Sequence, residues 1–314
     1  MVGRARSSLR RRWILAIGAA LLLLAAGTVV TPAEMANAST PGAITSVDAA
    51  TATVGAPFSF TVTTTGANVR FIHKNGSLPG GLHFAYNNDG TATISGTPNS
   101  GGVFNVVFTA AFGMQYVKLV SQHFTLTVDR APAFTSPTRL TKTVGHTFGF
   151  LIKTAAHPVP AITETGTLPN GVTFTDLGSG KATLAGTPAT GSGGVYSLTI
   201  TANNGIGTPA TQDLLLVIDE PLAITSGNAL TVTAGTPFSF TVTYLGYPIY
   251  DFIFKKPPPS GVHLLDNHDG TATLSGTVST PGTYTLLLNL RGVTSCSCGP
   301  TAGVTQTFIL TVNP

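Results

Sequence analysis

Apolar and polar residues alternate along this chain in a pattern that occurs three times. In the first copy, Leu82 and Phe84 alternate with polar neighbours before an Asp-Gly turn, and Ala92 and Ile94 alternate after it. Period two on both sides of such a turn predicts a β-hairpin. The three copies of this stretch occupy residues 81–98, 171–188 and 261–278.

A glycine holds the same place in each predicted turn, at Gly90, Gly180 and Gly270. We expect a positive φ at these positions, since glycine adopts that conformation without steric cost. The three hairpins are therefore predicted to share one backbone geometry.

Further alternating segments flank each hairpin, with matching segments about ninety residues apart. In the first copy their apolar positions are Phe58, Phe60 and Val62; Phe104, Val106 and Phe108; and Phe124, Leu126 and Val128. Shorter segments near Thr51–Val54 and Val69–His73 bring the total to about seven strands per copy, and no helical periodicity intervenes. The pattern predicts an all-β chain of three tandem immunoglobulin-like antiparallel β-sandwich domains.

The amino-terminal segment has the layout of a secretory signal peptide. Basic residues from Arg4 to Arg12 precede the uncharged, mostly apolar run Trp13–Val30, and Ala36-Asn37-Ala38 supplies a small-x-small cleavage pattern. We expect cleavage and a secreted or extracellular protein. A retained membrane anchor is the alternative, because eighteen residues just suffice to span a bilayer. The predicted divisions are signal peptide 1–38 and Ig-like domains 39–130, 131–220 and 221–314.

The formal net charge of +4 comes from the amino terminus alone. Five arginines and Glu34 give residues 1–38 a charge of 5 − 1 = +4, so the remainder is neutral. A nucleic-acid partner is not expected, because the basic surface that holds a phosphate backbone is missing. Membrane contact is expected only if the amino-terminal segment is retained.

The immunoglobulin hallmark residues are absent from the sequence. Cys296 and Cys298 are the only cysteines, and the sole tryptophan is Trp13. No disulfide can therefore join two sheets, and each unit must be stabilised by packing. In an exported protein Cys296 and Cys298 could pair with each other as a loop staple, with a redox role as the alternative.

The repeated motif resembles a known family. Leu78-Pro79 or Leu168-Pro169, then glycine, alternating apolar residues, a turn and Ala-Thr-(Ile/Leu)-(Ser/Ala)-Gly-Thr-Pro are similar to the putative Ig-like (cadherin-related) repeats of bacterial secreted and surface proteins. The third copy departs from the motif at Pro258-Pro259 and at Val278. The resemblance covers residues 42–314 and implies scaffolding or cell-adhesion modules, a fold that does not by itself define an activity.

No motif for catalysis or metal binding stands out in the sequence, so we predict that the protein is not an enzyme and has no cofactor. The histidines are scattered singly, without metal-ligand spacing. The cadherin relationship implies that calcium could bind between domains, but the predicted junctions offer only Asp129, Asp219 and Glu220 as carboxylates. We expect calcium to be dispensable.

Three tyrosines, Tyr244, Tyr247 and Tyr250, distinguish the third copy from the other two. If the seven predicted strands of a copy are lettered A to G in chain order, these tyrosines lie in the B–C segment. The corresponding segments of the other copies have no aromatic residue, and tyrosine is favoured in binding surfaces. We predict a ligand site at this end of the third domain; the alternative is that one or two of the tyrosines are core residues.

The function predicted from the sequence is non-catalytic binding or adhesion by a secreted or cell-surface protein, with an unknown protein or glycan as partner. One alternative is a structural spacer of the cell envelope without a ligand. Another is a carbohydrate-binding or calcium-binding cadherin-like module, although sugar binding is disfavoured by the lack of tryptophan after Trp13.

Overall fold

A computed structural model describes residues 41–293 and 303–314, and every regular element in them is a β-strand. Residues 41–314 form one compact unit. The predicted signal peptide, residues 1–38, and the predicted disulfide between Cys296 and Cys298 lie outside the described residues. No helix in the described ranges is long and apolar enough to cross a membrane.

The described strands fall into three similar groups, here called repeats 1, 2 and 3. Repeat 1 contains β1 (Ala43–Ile44), β2 (Ala49–Thr53), β3 (Phe58–Val62), β4 (Thr64–Thr65), β5 (Val69–Asn75), β6 (Leu82–Tyr86), β7 (Ala92–Gly96), β8 (Gly102–Phe112) and the start of β9 (Lys118–Phe134). Repeat 2 continues with β10 (Arg139–Thr143), β11 (Phe148–His157), β12 (Ala161–Thr165), β13 (Val172–Gly178), β14 (Lys181–Gly186), β15 (Gly194–Asn203) and the start of β16 (Ala210–Ile224). Repeat 3 contains β17 (Ala229–Thr233), β18 (Pro237–Tyr247), β19 (Ile249–Phe254), β20 (Val262–Asp266), β21 (Thr271–Thr277), β22 (Gly282–Gly292) and β23 (Val304–Asn313).

Repeat 1 shows the sandwich topology that all three share. One sheet has the order β3-β7-β6, and the other contains β5, β8 and β9, with β2 along β9. The predicted hairpin is confirmed as β6 and β7, with Leu82 opposite Gly96, and the three turn glycines have φ values of 87°, 71° and 84°. The strand pairing is antiparallel except that β2 runs parallel to β9, because the chain crosses from β1, which pairs with β4, to the other sheet before β2 begins.

Each repeat encloses its own hydrophobic core between the two sheets. In repeat 1 the rings of Phe60 and Phe108 flank that of Phe124, with centroids 4.6 and 5.1 Å from it. These residues belong to the alternating apolar positions of the sequence. The fold class, three tandem immunoglobulin-like sandwiches, is thus confirmed.

Two strands pass from one repeat into the next without interruption. The first half of β9 pairs with β8 of repeat 1, and its second half pairs with β11 of repeat 2. Strand β16 connects repeats 2 and 3 in the same way, through β15 and β18. The predicted boundaries at 130/131 and 220/221 therefore fall within continuous strands, and they remain predictions.

Candidate binding surfaces

Tyr244 belongs to the core of repeat 3. Its side chain is 3% exposed, and its ring packs edge-on against Phe252 with centroids 5.2 Å apart. Its hydroxyl group donates a hydrogen bond of 2.5 Å to Oδ1 of Asp266. Burial, followed by the bond to Asp266, raises the pKa of Tyr244 well above its ordinary value. Tyr244 is thus the core residue of the alternative interpretation, and it contributes nothing to an exposed binding surface.

Tyr247 lies at the junction between repeats 2 and 3, where it pairs with Glu220 of the connecting strand. A Cβ atom on Gly193 of repeat 2 would lie 2.8 Å from Cβ of Tyr247 and 2.6 Å from Cβ of Glu220. The predicted B–C loop is almost entirely strand, with only Pro248 between β18 and β19. Tyr247 therefore borders the preceding repeat.

Tyr250 is the exposed member of the three, at 53%. The guanidinium group of Arg291 lies 5.4 Å from the centroid of its ring, and Arg291 also forms a bidentate ion pair with Asp251. The structure thus does not bring the three tyrosines together on one accessible surface, because they occupy the core, the junction and the outer face.

Glu220 stabilises the junction between repeats 2 and 3 through its carboxylate group. It is 7% exposed and accepts hydrogen bonds from the backbone N–H of Gly191 (2.6 Å) and of Gly193 (2.9 Å). Burial and the negative charge of Glu220 raise the pKa of the nearby Tyr196. Both oxygens of this carboxylate are directed to the backbone of repeat 2, so the junction is a charge-assisted contact.

The junction between repeats 1 and 2 has the same layout with different side chains. A Cβ atom on Gly101 would lie 2.7 Å from Cβ of Arg130 and 3.0 Å from Cβ of His157, and Arg130 and His157 pair as Glu220 and Tyr247 do. Nδ2 of Asn204 donates to the carbonyl oxygen of Arg130. In repeats 2 and 3, therefore, the end that carries the B–C segment adjoins the preceding repeat.

The corresponding end of repeat 1 has no preceding repeat among the described residues. Here the backbone N–H of Gly113 donates to the carbonyl oxygen of Asn68, and Oγ1 of Thr64 donates to that of Gly90. These bonds join the B–C segment to the F–G turn, and β4, which precedes the B–C segment, to the D–E turn. We call this surface the free loop end and define it by its B–C segment, D–E turn and F–G turn, residues 66–70, 87–91 and 113–119.

Apolar side chains are concentrated and exposed at the free loop end. Met114 is 78% and Tyr116 is 90% exposed, and Val117 and Leu119 are exposed as well. Phe71 of β5 lies on the same outer face, where Ala111 separates it from Leu119 across the sheet. An open concavity on this face is lined by Phe71, Ile72, His73, Asn75, Thr109 and Leu119.

The residues of the outer face that correspond to Phe71 and Ala111 differ in the other two repeats. Where repeat 1 has Phe71 and Ala111, repeat 2 pairs Ala161 with Asn203. Repeat 3 has the Asp251–Arg291 ion pair there. Only the first copy is apolar at this position, although the cores beneath are alike.

The described cations at the free loop end are Arg70 and Lys118, and both are exposed. The nearby acid, Asp89, accepts hydrogen bonds from the backbone N–H (2.9 Å) and the hydroxyl group (2.6 Å) of Thr91. Those bonds lower the pKa of Asp89. The surface thus combines apolar side chains with two cations that take part in no ion pair within residues 41–293 and 303–314.

The sequence interpretation did not identify the free loop end. The available signal was the segment from Gly113 to Leu119, with four apolar residues in a predicted turn, where the second copy has Gly205-Ile206-Gly207-Thr208-Pro209. The ligand site predicted from the sequence depends on the divergence of the third copy alone. Among the described repeats, only the first has this end uncovered by a preceding repeat. That exposure depends on the tertiary structure.

Candidate catalytic and metal chemistry is sparse in the described part of the chain. It contains no group of three or more His, Cys, Asp or Glu side chains that could hold a metal ion. Burial raises the pKa of Glu164, whose Oε1 has no hydrogen-bond partner. A single carboxyl group of this kind does not form the acid–base pair that hydrolytic sites use.

Comparison with known proteins agrees with the fold. Residues 40–129 match the family described as "Putative Ig domain". No curated protein matches the chain significantly. Among solved structures, Dpr2 Ig1-Ig2 in complex with DIP-Theta Ig1-Ig3 is similar with a TM-score of 0.52 at 13% identity, covering 86% of this chain and 99% of that one. The titin I-band fragment I67-I69 has a TM-score of 0.47 at 14% identity, with 87% and 98% covered.

Proposed function

We propose that this chain of three Ig-like repeats, the first of which matches the family of putative Ig domains, is an exported, non-catalytic binding and adhesion protein. Tandem Ig-like domains are typical of surface and adhesion proteins. The proposed partner is a protein, glycan or lipid of the cell envelope, and neither a nucleic acid nor a cofactor takes part. Export rests on the predicted signal peptide, residues 1–38.

The observation that carries this proposal is the free loop end of repeat 1. Repeats 2 and 3 adjoin a preceding repeat at the equivalent end, through residues such as His157 and Tyr247. Repeat 1 instead presents the exposed side chains of Met114 and Tyr116. Exposed apolar side chains that cluster in one place are a recognised mark of an interaction site.

A structural spacer is the second candidate function, and the continuous strands β9 and β16 favour it because they connect the repeats without a flexible linker. A spacer without a ligand, however, does not account for an apolar outer face on one repeat alone. The calcium-binding alternative would require that the Glu220 carboxylate give up its hydrogen bonds to Gly191 and Gly193.

Binding and the spacer role can be separated with two matched tyrosine variants of the unit 41–314. Tyr116→Ser changes the free loop end, whereas Tyr250→Ser changes an exposed tyrosine of repeat 3. We expect saturable binding to envelopes of the producing cell, weakened about tenfold by Tyr116→Ser and unaffected by Tyr250→Ser. Non-saturable association, or equal behaviour of both variants, would support the spacer role.

Export is tested separately by amino-terminal sequencing of protein recovered from the culture medium. The expected sequence begins near Ser39, after Ala36-Asn37-Ala38. Recovery of intact chain in the membrane fraction alone would instead identify Trp13–Val30 as an anchor.

A further inference from the structure

We propose that the free loop end of repeat 1 docks on an anionic lipid surface. Met114 and Tyr116 enter the interfacial region, and Arg70 and Lys118 lie against the headgroup phosphates. This inference rests on the proposed function, since it names the chemistry of the partner that the same surface would bind.

The distribution of exposure favours insertion by a protruding turn. The most exposed apolar side chains, Met114 and Tyr116, are in the F–G turn between β8 and β9, and the flat face behind it is less exposed, with Phe71 at 44%. Tyrosine prefers membrane–water interfaces, where its ring is sheltered and its hydroxyl group is hydrated. A turn with apolar side chains at its tip can enter this layer without unfolding the sandwich.

The charges at the free loop end complement anionic headgroups. Lys118 follows the turn directly, and Arg70 is the extra residue of a bulge in β5, between the pairs Val69–Phe112 and Phe71–Ala111. Each cation near an anionic membrane strengthens binding, and the attraction decays within a Debye length. Asp89 is the one acid in the three segments of this end, and its hydrogen bonds to Thr91 lower its pKa and keep it ionised, so the two cations leave a net charge of +1.

A second copy of the chain fits this surface less well. Two free loop ends that met would bring four cations together, and β5 is an edge strand carrying Arg70 and Lys74, which disfavour pairing with an identical edge. A lipid surface supplies the opposite charge.

The described chain begins beside this end. Gly42 lies so close to the ring of Phe112, which pairs with Val69 of the B–C segment, that a side chain on Gly42 would collide with that ring.

Vesicle sedimentation tests the inference with the unit 41–314, which contains all three cores. The probes are vesicles of phosphatidylcholine alone and of phosphatidylcholine with about a third phosphatidylglycerol. We expect binding to the anionic vesicles, reduced by salt and at least tenfold weaker for Tyr116→Asp. The matched control is Leu177→Asp, which places the same charge on an exposed apolar side chain of repeat 2. Both variants should keep the melting temperature, since both sites are exposed.

Equal affinity for both vesicle types, no binding to the anionic vesicles, or equal weakening by Leu177→Asp would overturn the inference. Envelope binding that requires Tyr116 but is lost after protease treatment of the envelopes would also overturn it, and would identify a protein partner while leaving the proposed function intact. If Tyr116 contributed neither to the binding of vesicles nor to the binding of envelopes, both the lipid inference and the proposed function would be contradicted.

Discussion

At the scale of single residues, Tyr244 shows how burial changes the ionisation of a side chain. Its hydroxyl group donates to Asp266 within the core of repeat 3, and burial and this bond raise its pKa. An unfolded tyrosine ionises near pH 10, whereas the folded one stays protonated to higher pH. The stabilisation is therefore complete below about pH 10 and is lost as the pH rises further.

We expect Tyr244→Phe to cost about 1–2 kcal/mol at neutral pH, because a buried hydrogen bond to a carboxylate is lost. When the pH is raised from about 7 to about 11, the free energy of unfolding of this variant should fall by less than that of the native chain. Urea unfolding at the two pH values measures this, with the exposed Tyr250→Phe as the control. If the free energy of unfolding of Tyr244→Phe fell as much at alkaline pH as that of the native chain, the assignment would be contradicted. A smaller remaining fall is expected from Tyr196, whose pKa is also raised.

At the scale of elements, the D–E hairpin depends on a glycine at the end of its second strand. In repeat 2 this is Gly186, with φ 143°, and a Cβ atom there would collide with the carbonyl oxygen of Gly171. The obstacle is backbone, which cannot move aside as a flexible side chain could. Gly96 and Gly276 occupy the same position in the other repeats.

Gly186→Ala is expected to destabilise the protein by at least about 2 kcal/mol, from strain at φ and from the collision. Gly149→Ala is the matched control, because a Cβ atom at Gly149, on β11 of the same sheet, meets nothing within 4 Å. Thermal unfolding of both variants provides the comparison. A Gly186→Ala protein as stable as Gly149→Ala would show that the hairpin tolerates a different geometry.

At the scale of the whole molecule, the two junctions differ in the group that connects them. Glu220 bonds to the backbone of repeat 2, whereas the equivalent Arg130 makes no such side-chain bond in the described structure. We expect Glu220→Ala to widen the range of orientations between repeats 2 and 3. Arg130→Ala should have little effect between repeats 1 and 2. Small-angle X-ray scattering measures the difference, and identical profiles for both variants would contradict it.

Calcium should leave the arrangement of the repeats unchanged, since Glu220 already has backbone partners and no cluster of three candidate ligands occurs in the described ranges. A site specific to the native state would stabilise it by about 2.7 kcal/mol at a hundredfold excess over Kd. We therefore expect the same melting temperature with millimolar calcium and with chelator. A rise of several degrees with calcium would disprove the prediction.

The sequence alone determined the repeat, the hairpins and the apolar positions of each core. Phe60, Phe108 and Phe124 lie inside because period two places alternate residues on one face, and the turn glycines required only local geometry. These features depend on neighbours along the chain or on pairing within one repeat, so the pattern of residues was sufficient to predict them.

Only the tertiary structure decided which loop end remains accessible. Tyr244, Tyr247 and Tyr250 are close in sequence, yet they lie in the core, at a junction and on the outer face. Their exposure depends on β16 and on the loop around Gly193, which belong to the preceding repeat. Met114 and Tyr116 are accessible because no described repeat precedes theirs. Burial is determined by the surfaces that meet in space, and a pattern confined to one segment does not contain that information.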